Sequence, residues 1–131
     1  MKKLLLIFVL AILASCSSVP KNKTKTQPSL LNTNWTLAET LRGKKIPTLS
    51  IENGRISGNA GCNNYFGEVL LDPTTGNFSV SKVGSTKMAC DNMSIEDNFL
   101  KLLSQVNKYA VNGNALELYK DDLLLMKFNK N

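Results

Sequence analysis

GNAGCNNYFG, residues 58 to 67, holds three glycines, two adjacent asparagines, an aromatic pair and one cysteine within ten positions. Such a stretch fits a phosphate loop, the seat of a nucleophilic thiol, or a turn held by a disulfide. A phosphate loop needs its glycines between a strand and a helix N-terminus. Here the flanking segments both predict strands, and neither a dinucleotide nor a Walker-type glycine motif is present. The stretch therefore predicts a tight corner between two strands.

Apolar and polar residues alternate on both sides of this corner, which predicts two hairpins. Residues 47–60 contain Asn53-Gly54, a strong signal for a type I′ turn. Residues 65–83 contain a cluster of turn-forming residues at 72–76. The candidate inward side chains of the two hairpins are Leu49, Ile51, Ile56, Phe78, Val80 and, if a small irregularity intervenes, Val83. Tyr65 and Phe66 should face opposite sides of their strand.

The spacing of apolar residues changes from a strand pattern to a helical pattern after residue 93. Ser94 predicts the N-cap of a helix, and acidic residues follow in its first turn. One helical stripe follows, formed by Ile95, Phe99, Leu102, Leu103 and Val106. We expect this stripe to pack onto a sheet, because one helix in a small domain must bury its apolar face.

Strand patterns return after the helix, with a second hairpin signal at Asn112-Gly113. The last strand contains the apolar run Leu123–Met126, which predicts cover on both faces. The predicted order of several strands, one helix and then further strands indicates an α+β domain. Its fold class is a strongly curved antiparallel β-sheet, a partial barrel, with one packed α-helix.

The N-terminus carries export signals. Two lysines and an apolar run make residues 1–15 a predicted signal peptide, and the run is short for a membrane span. Leu13-Ala14-Ser15-Cys16 resembles the lipobox of bacterial lipoproteins. The resemblance implies lipidation of Cys16 and cleavage before it. Ser17, in place of Asp, resembles an outer-membrane sorting signal. Residues 16–29 are poor in apolar side chains and predict a disordered tether, followed by a domain over residues 30–131.

The charge of the whole chain is +6, which raises the question of a nucleic-acid partner. Five of its 16 basic residues, Lys2, Lys3, Lys21, Lys23 and Lys25, lie in the signal peptide and tether. The remainder, residues 28–131, has 11 basic and 10 acidic side chains, a net charge of +1. We therefore expect no nucleic-acid partner.

The chain contains no histidine, which removes the usual general base and the commonest metal ligand. Cys62 and Cys90 remain after lipidation of Cys16, and three interpretations stay open. They are a structural disulfide formed in an oxidising compartment, two buried unbridged thiols, and a reactive thiol pair with Lys87 nearby. The carboxylates available for paired acid–base chemistry are Glu52, Glu68, Asp91, Glu96 and Asp97. Exposed turn or helix-cap positions explain these carboxylates.

Three stretches occur in series: GRISGNAGCNNYFG at 54–67, GSTKMAC at 84–90 and EDNFLKLLSQVNKYAVNGNALEL at 96–118. Together they resemble the META domain family, typified by HslJ-like bacterial lipoproteins. The resemblance implies a small α+β fold, an envelope location and a link to stress tolerance. It also carries structural cysteines over to Cys62 and Cys90, and it supplies no catalytic residues.

We therefore predict a non-enzymatic lipoprotein on the periplasmic face of the outer membrane, without cofactor or metal. It would act as a stress-related binding module for an envelope protein or a small apolar ligand. The alternatives are a carrier of a small apolar ligand, an inhibitor or assembly chaperone of an envelope protein, and a thiol-redox protein using Cys62 and Cys90.

Overall fold

The computed structural model describes residues 25–39, 41, 43–91 and 93–131. The predicted signal peptide, the predicted lipidation site Cys16 and the predicted tether as far as residue 24 lie outside the described residues. The described part forms eight antiparallel strands in one closed barrel, in the order of the chain, with one helix between the fifth and sixth strands. The predicted antiparallel sheet with one packed helix is confirmed, and its curvature is strong enough to close it.

The elements follow the chain in a meander, so that each strand pairs with the next and the last returns to the first. Their bounds are β1 Thr33–Leu37, β2 Thr48–Glu52, β3 Arg55–Asn59, β4 Asn64–Asp72, β5 Asn77–Ser85, α1 Met93–Leu103, β6 Lys108–Asn112, β7 Ala115–Lys120 and β8 Leu123–Lys130.

The β2–β3 hairpin turns at Asn53 and Gly54, whose φ angles are 49° and 74°. Two successive positive φ values are the requirement of a type I′ turn, so the predicted turn is confirmed. Leu49, Ile51 and Ile56 are all buried, as the alternation predicts. These side chains belong to a core that all eight strands and the helix share.

The β4–β5 hairpin contains a β-bulge. Phe66 pairs with Gly84 but Glu68 pairs with Ser81, so two residues of β5 lie opposite Gly67. Lys82, one of the two, has a φ of 51°. This bulge is the irregularity that the alternation of β5 requires. It brings Val83 next to Gly67 on the inner side, although Val83 is still 41% exposed.

The barrel is weakest between β5 and β6, where Asn77 and Lys108 form the single register pair. The N-terminal segment reinforces this junction. Gln27 donates its backbone N–H to the carbonyl of Pro73 at 2.7 Å, and its side-chain oxygen accepts from the N–H of Val111 at 2.9 Å. One residue thus links the β4–β5 turn to β6.

Helix α1 packs over the barrel interior. The Phe99 ring lies 5.4 Å from Tyr65 of β4 and 6.4 Å from Phe128 of β8, measured between centroids. These two strands lie on opposite sides of the barrel, so the helix covers the space between them. Complete burial of a side chain such as Phe99 stabilises the fold by roughly 1.5–3 kcal/mol.

Three local predictions are wrong. The helix begins at Met93, so Ser94 lies inside its first turn, and it ends at Leu103, before the buried Val106. In β8, Leu123 and Leu124 are 66% and 45% exposed, so this run is not covered on both faces. A register shift between Leu118 and Tyr119 accompanies this change.

Candidate functional site

The corner between β3 and β4 depends on close backbone approach at two glycines. A Cβ on Gly58 would lie 2.1 Å from the carbonyl oxygen of Thr48, which no side chain can tolerate. Gly61 has a φ of 114°, and a Cβ there would lie 2.7 Å from Cγ2 of Ile95. The strand β2 and the helix α1 therefore approach this corner more closely than any other residue type would allow. The prediction of a tight, glycine-dependent corner is confirmed.

Asn63 is the centre of this corner and is fully buried. Its side-chain oxygen accepts hydrogen bonds from the N–H of Met88 at 2.7 Å and from the hydroxyl of Thr86 at 2.9 Å. Its side-chain nitrogen donates to the carbonyl of Met88 at 3.0 Å. The side chain therefore holds the loop after β5 as a backbone strand partner would.

Glu96 is the one buried carboxylate among the described residues, with 4% of its surface exposed. It accepts the backbone N–H of Asn63 at 2.7 Å and the side-chain nitrogen of Asn63 at 3.3 Å. An exposed helix-cap role, expected from the sequence, is therefore wrong for this residue. Charge-assisted hydrogen bonds to a buried carboxylate are strong, so Glu96 attaches α1 to the corner.

Asn59 and Asn64 complete the polar network. The Asn59 amide donates to the carbonyl of Cys62 and to the side-chain oxygen of Asn64, and its oxygen accepts from the N–H of Gly61. Every buried side-chain nitrogen and oxygen among the described residues has a hydrogen-bond partner. A satisfied network of this kind holds one geometry.

A disulfide joins Cys62 to Cys90, with the two Cα atoms 6.1 Å apart and a sequence separation of 28. Cys62 is buried beside Asn63, whereas Cys90 lies on the exposed loop that precedes α1. The disulfide and Asn63 thus hold the same loop at two points, residues 86–88 and residue 90. The corner is a structural joint between the barrel, the loop and the helix.

A more open feature lies along the helix. Between α1, the end of β1 and the middle of β8 there is a half-open cleft of about 390 Å³. Six of its nine lining residues are apolar: Leu37, Leu41, Ile95, Phe99, Leu102 and Met126. Glu39, Ser94 and Asn98 form the polar part of its wall. We call this feature the α1 cleft.

A larger and more polar groove crosses the outside of the sheet, with a volume of about 720 Å³. Its floor combines Phe66, which is 59% exposed and lies over Gly84, with charged side chains. Lys82 and Glu68 form an ion pair at 2.9 Å in this groove, and both are largely exposed. Exposed ion pairs contribute little to stability, so the Lys82–Glu68 pair adds little to the stability of this surface.

The carboxylates considered from the sequence do not gather in one place. Glu52 and Glu68 lie in the outer groove, Asp91 and Asp97 are exposed, and Glu96 is in the buried corner. Across the described ranges, no group of three or more potential His, Cys, Asp or Glu metal ligands is found. Over the same ranges, no helix is both long enough and apolar enough to cross a membrane.

Burial and hydrogen bonding shift the pKa of several side chains in the barrel. Burial raises the pKa of Tyr65 well above its usual range, and its hydroxyl donates to the carbonyl of Thr48 at 2.9 Å. The hydrogen bond from Tyr119 lowers the pKa of Glu117, with a further contribution from Lys127. These shifts keep Tyr65 neutral and Glu117 charged, and both states serve structural contacts.

The sequence from residue 28 to residue 131 matches the model of the META domain. The chain belongs to the META domain family. The match covers the whole barrel, including the glycine corner, the disulfide and α1. The family resemblance expected from the three sequence stretches is therefore confirmed.

Solved structures with the same fold are distant in sequence. An NMR structure of a protein from Burkholderia xenovorans is 23% identical, with a TM-score of 0.65 over 78% of this chain and 83% of that one. A second NMR structure is 19% identical, with a TM-score of 0.58 over 75% and 88%. A crystal structure of a DUF4847 family protein from Bacteroides vulgatus is 18% identical, with a TM-score of 0.51 over 65% and 59%.

At these identities the structural neighbours support the META fold alone. No curated protein matches the sequence. The function of this META domain must therefore be argued from its own surface.

Proposed function

We propose that this chain is a lipid-anchored, non-enzymatic protein of the outer membrane whose META domain binds an apolar group in the α1 cleft. The observation that carries the proposal is the cleft itself, in which half-buried Leu41, Ile95 and Leu102 adjoin the buried Leu37, Phe99 and Met126. Pockets of this kind, apolar with a few polar groups at the edge, are typical of binding sites for small molecules and anchoring side chains.

Both walls of the cleft are held in place by hydrogen bonds. One wall is β1 and β8, which pair with each other through three registered residue pairs. The other wall is α1, which is held at its first turns by the hydrogen bonds of Glu96 to Asn63. A preformed cleft loses little conformational entropy when it is filled, which favours binding.

The interior of the barrel does not offer an alternative site. Tyr65, Phe78, Tyr109 and Phe128 occupy it and are almost completely buried. A ligand taken up by this domain must therefore bind at the surface, and the α1 cleft offers a mostly apolar lining there. The occupant would be a small apolar molecule or an apolar side chain of an envelope partner, and envelope stress is the condition in which we expect it to matter.

Binding can be tested with the apolar fluorophore ANS and the full chain purified from membranes. Asn98 is exposed on α1 and lines the cleft, so Asn98→Trp would fill its mouth without altering the core. Lys101→Trp, on the exposed side of the same helix, is the matched control. We expect ANS fluorescence to increase with the unsubstituted chain and Lys101→Trp, and to fall with Asn98→Trp. Equal fluorescence from all three proteins would contradict the proposed site.

The anchor needs a separate test, because it rests on the sequence around Cys16. We expect incorporation of labelled palmitate into the full chain and its loss in Cys16→Ser. An unlabelled chain that remains in the soluble fraction would contradict the anchoring part of the proposal and leave the α1 cleft unaffected.

A further inference from the structure

The chain enters the barrel at a defined place. Gln27 is hydrogen-bonded to Pro73 and Val111, and the carbonyl of Pro28 accepts the hydroxyl of Tyr109 at 3.3 Å. Leu30, three residues after Gln27, is completely buried. The last residues of the predicted tether are therefore attached to one end of the barrel, beside the turn between β4 and β5.

The same end carries exposed leucines. Leu31 is 53% exposed and Leu70 is 74% exposed, and both line a cleft of about 270 Å³ that also includes Leu71 and Pro73. Isolated exposed leucines are ordinary on protein surfaces, whereas neighbouring ones that share a cleft mark an interaction surface. We call this surface, formed by residues 27–31 and 69–73, the N-terminal rim.

The length of chain before the rim limits what can cover it. Gln27 follows Cys16 by 11 positions, and a fully extended chain of that length spans at most about 40 Å. A lipid on Cys16 would therefore keep the rim within this distance of the bilayer, with no folded domain between them. No other part of the described barrel is attached as closely to the anchor.

We propose that the N-terminal rim lies on the surface of the lipid bilayer, with Leu31 and Leu70 inserted at the boundary between headgroups and acyl chains. Side chains of this type insert in that boundary when an anchor holds them there, and two weak membrane contacts together give stable attachment. This inference rests on the proposed lipid anchor at Cys16.

The contact would also orient the domain. Strand β1 begins at Thr33, next to the rim, and ends at Leu37, which lines the α1 cleft. Five strand residues span about 17 Å, so the cleft lies at the end of the barrel that faces away from the bilayer. The rim would thus present the α1 cleft to soluble ligands and partners of the periplasm.

The test uses the full, lipid-modified chain reconstituted in vesicles of phosphatidylcholine and phosphatidylethanolamine that carry brominated acyl chains, which quench tryptophan. Leu70→Trp and Leu31→Trp place a reporter on the rim. Leu123→Trp is the matched control, because Leu123 is 66% exposed at the opposite end of the barrel. The buried native Trp35 gives the same background in every protein.

We expect brominated lipids to remove most of the added emission in Leu70→Trp and Leu31→Trp and to leave that of Leu123→Trp unchanged. Flotation with the vesicles reports the anchor independently. A chain that floats but shows no quenching at either rim position, or equal quenching at Leu123, would overturn the membrane contact alone. A chain that does not float would overturn the proposed anchor and, with it, this contact.

Discussion

The backbone N–H of Asn63 donates a 2.7 Å hydrogen bond to Oε2 of Glu96, and these two residues are separated by 33 positions in the chain. The bond joins the corner between β3 and β4 to the first turn of α1. The side chain of Asn63 forms further hydrogen bonds with Thr86 and Met88 in the loop after β5. One buried asparagine thus connects the corner, the loop after β5 and α1, so we expect the fold to be sensitive to changes at this position.

Asn63→Asp should therefore be strongly destabilising, although the two side chains have the same shape. The new oxygen would face the carbonyl of Met88 and the carboxylate of Glu96 in place of a donor. We expect a loss of about 3 kcal/mol or more in the free energy of unfolding, measured by urea denaturation. Asn64→Asp is the matched control, since Asn64 is exposed and only accepts from Asn59 through its side chain. Its effect should stay within about 0.5 kcal/mol.

The disulfide should contribute through the unfolded state. Closing a loop whose cysteines have a sequence separation of 28 lowers the entropy of the unfolded chain by an amount worth about 3 to 4 kcal/mol. We expect Cys90→Ser and Cys62→Ser each to lose a few kcal/mol under oxidising conditions. Cys90→Ser is the cleaner variant because Cys90 is exposed. With a reductant present, the unsubstituted protein should match Cys90→Ser, and an unchanged melting temperature in oxidised Cys62→Ser would show the assignment to be wrong.

Gly58→Ala should prevent normal folding of the corner. The added methyl group would meet the carbonyl of Thr48 at 2.1 Å, and backbone atoms cannot move away as a flexible side chain can. We expect the free energy of unfolding to fall by about 3 kcal/mol. Thermal denaturation measures this change. Gly43→Ala is the control, because its φ is +66° but nothing lies within 4 Å of a Cβ there. That change should cost only about 1 kcal/mol, the strain of a positive φ. Equal effects at the two positions would contradict the role of close approach.

The pair formed by Tyr119 and Glu117 should make stability depend on pH in the acid range. The Tyr119 hydroxyl donates to Glu117 at 2.8 Å and lowers the pKa of that carboxyl. The pKa of Glu117 in the folded state lies below its value in the unfolded chain, which is about 4.3. The Tyr119–Glu117 hydrogen bond therefore contributes its full stabilisation at pH values above the unfolded-state pKa. It is lost as the pH falls through the lowered pKa of the folded state.

Tyr119→Phe should consequently be less stable than the unsubstituted protein by about 1 kcal/mol at pH 7, and this difference should shrink as the pH falls below about 4. Urea denaturation at a series of pH values measures it. Lys127→Gln is the control, since the Lys127–Glu117 ion pair spans 3.2 Å with a half-exposed lysine and should contribute little. A difference that persists unchanged at low pH would contradict the assigned role of Glu117.

Short-range patterns predicted much of the fold. Asn53-Gly54 specifies its turn because only a few residue types adopt two positive φ angles in succession. Alternation correctly predicts that Ile51 and Ile56 face inward, because the period of a strand is independent of what covers it. The glycine corner was also predictable, since glycines cluster where the backbone must pass close to other atoms.

The misplaced predictions concern contacts between distant segments. Glu96 has the sequence signature of a first-turn helix residue, and nothing local indicates that α1 turns this carboxylate toward Asn63. The run at Leu123 and Leu124 suggests a covered strand, yet the register shift in β7–β8 leaves both exposed. Burial depends on which elements lie above a residue, and sequence periodicity carries no information on that.

The sequence alone determined the strand and helix pattern of this protein, its glycine corner and its family, because these depend on local backbone preferences and on motifs in series. Only the tertiary structure decided that the sheet closes, since closure depends on Asn77 meeting Lys108 and on Gln27 bridging the weak junction. It also decided that Asn63 and Glu96 meet and that α1 leaves an apolar cleft beside β1 and β8. These features arise from the packing of whole elements, where each position is set by all its neighbours at once.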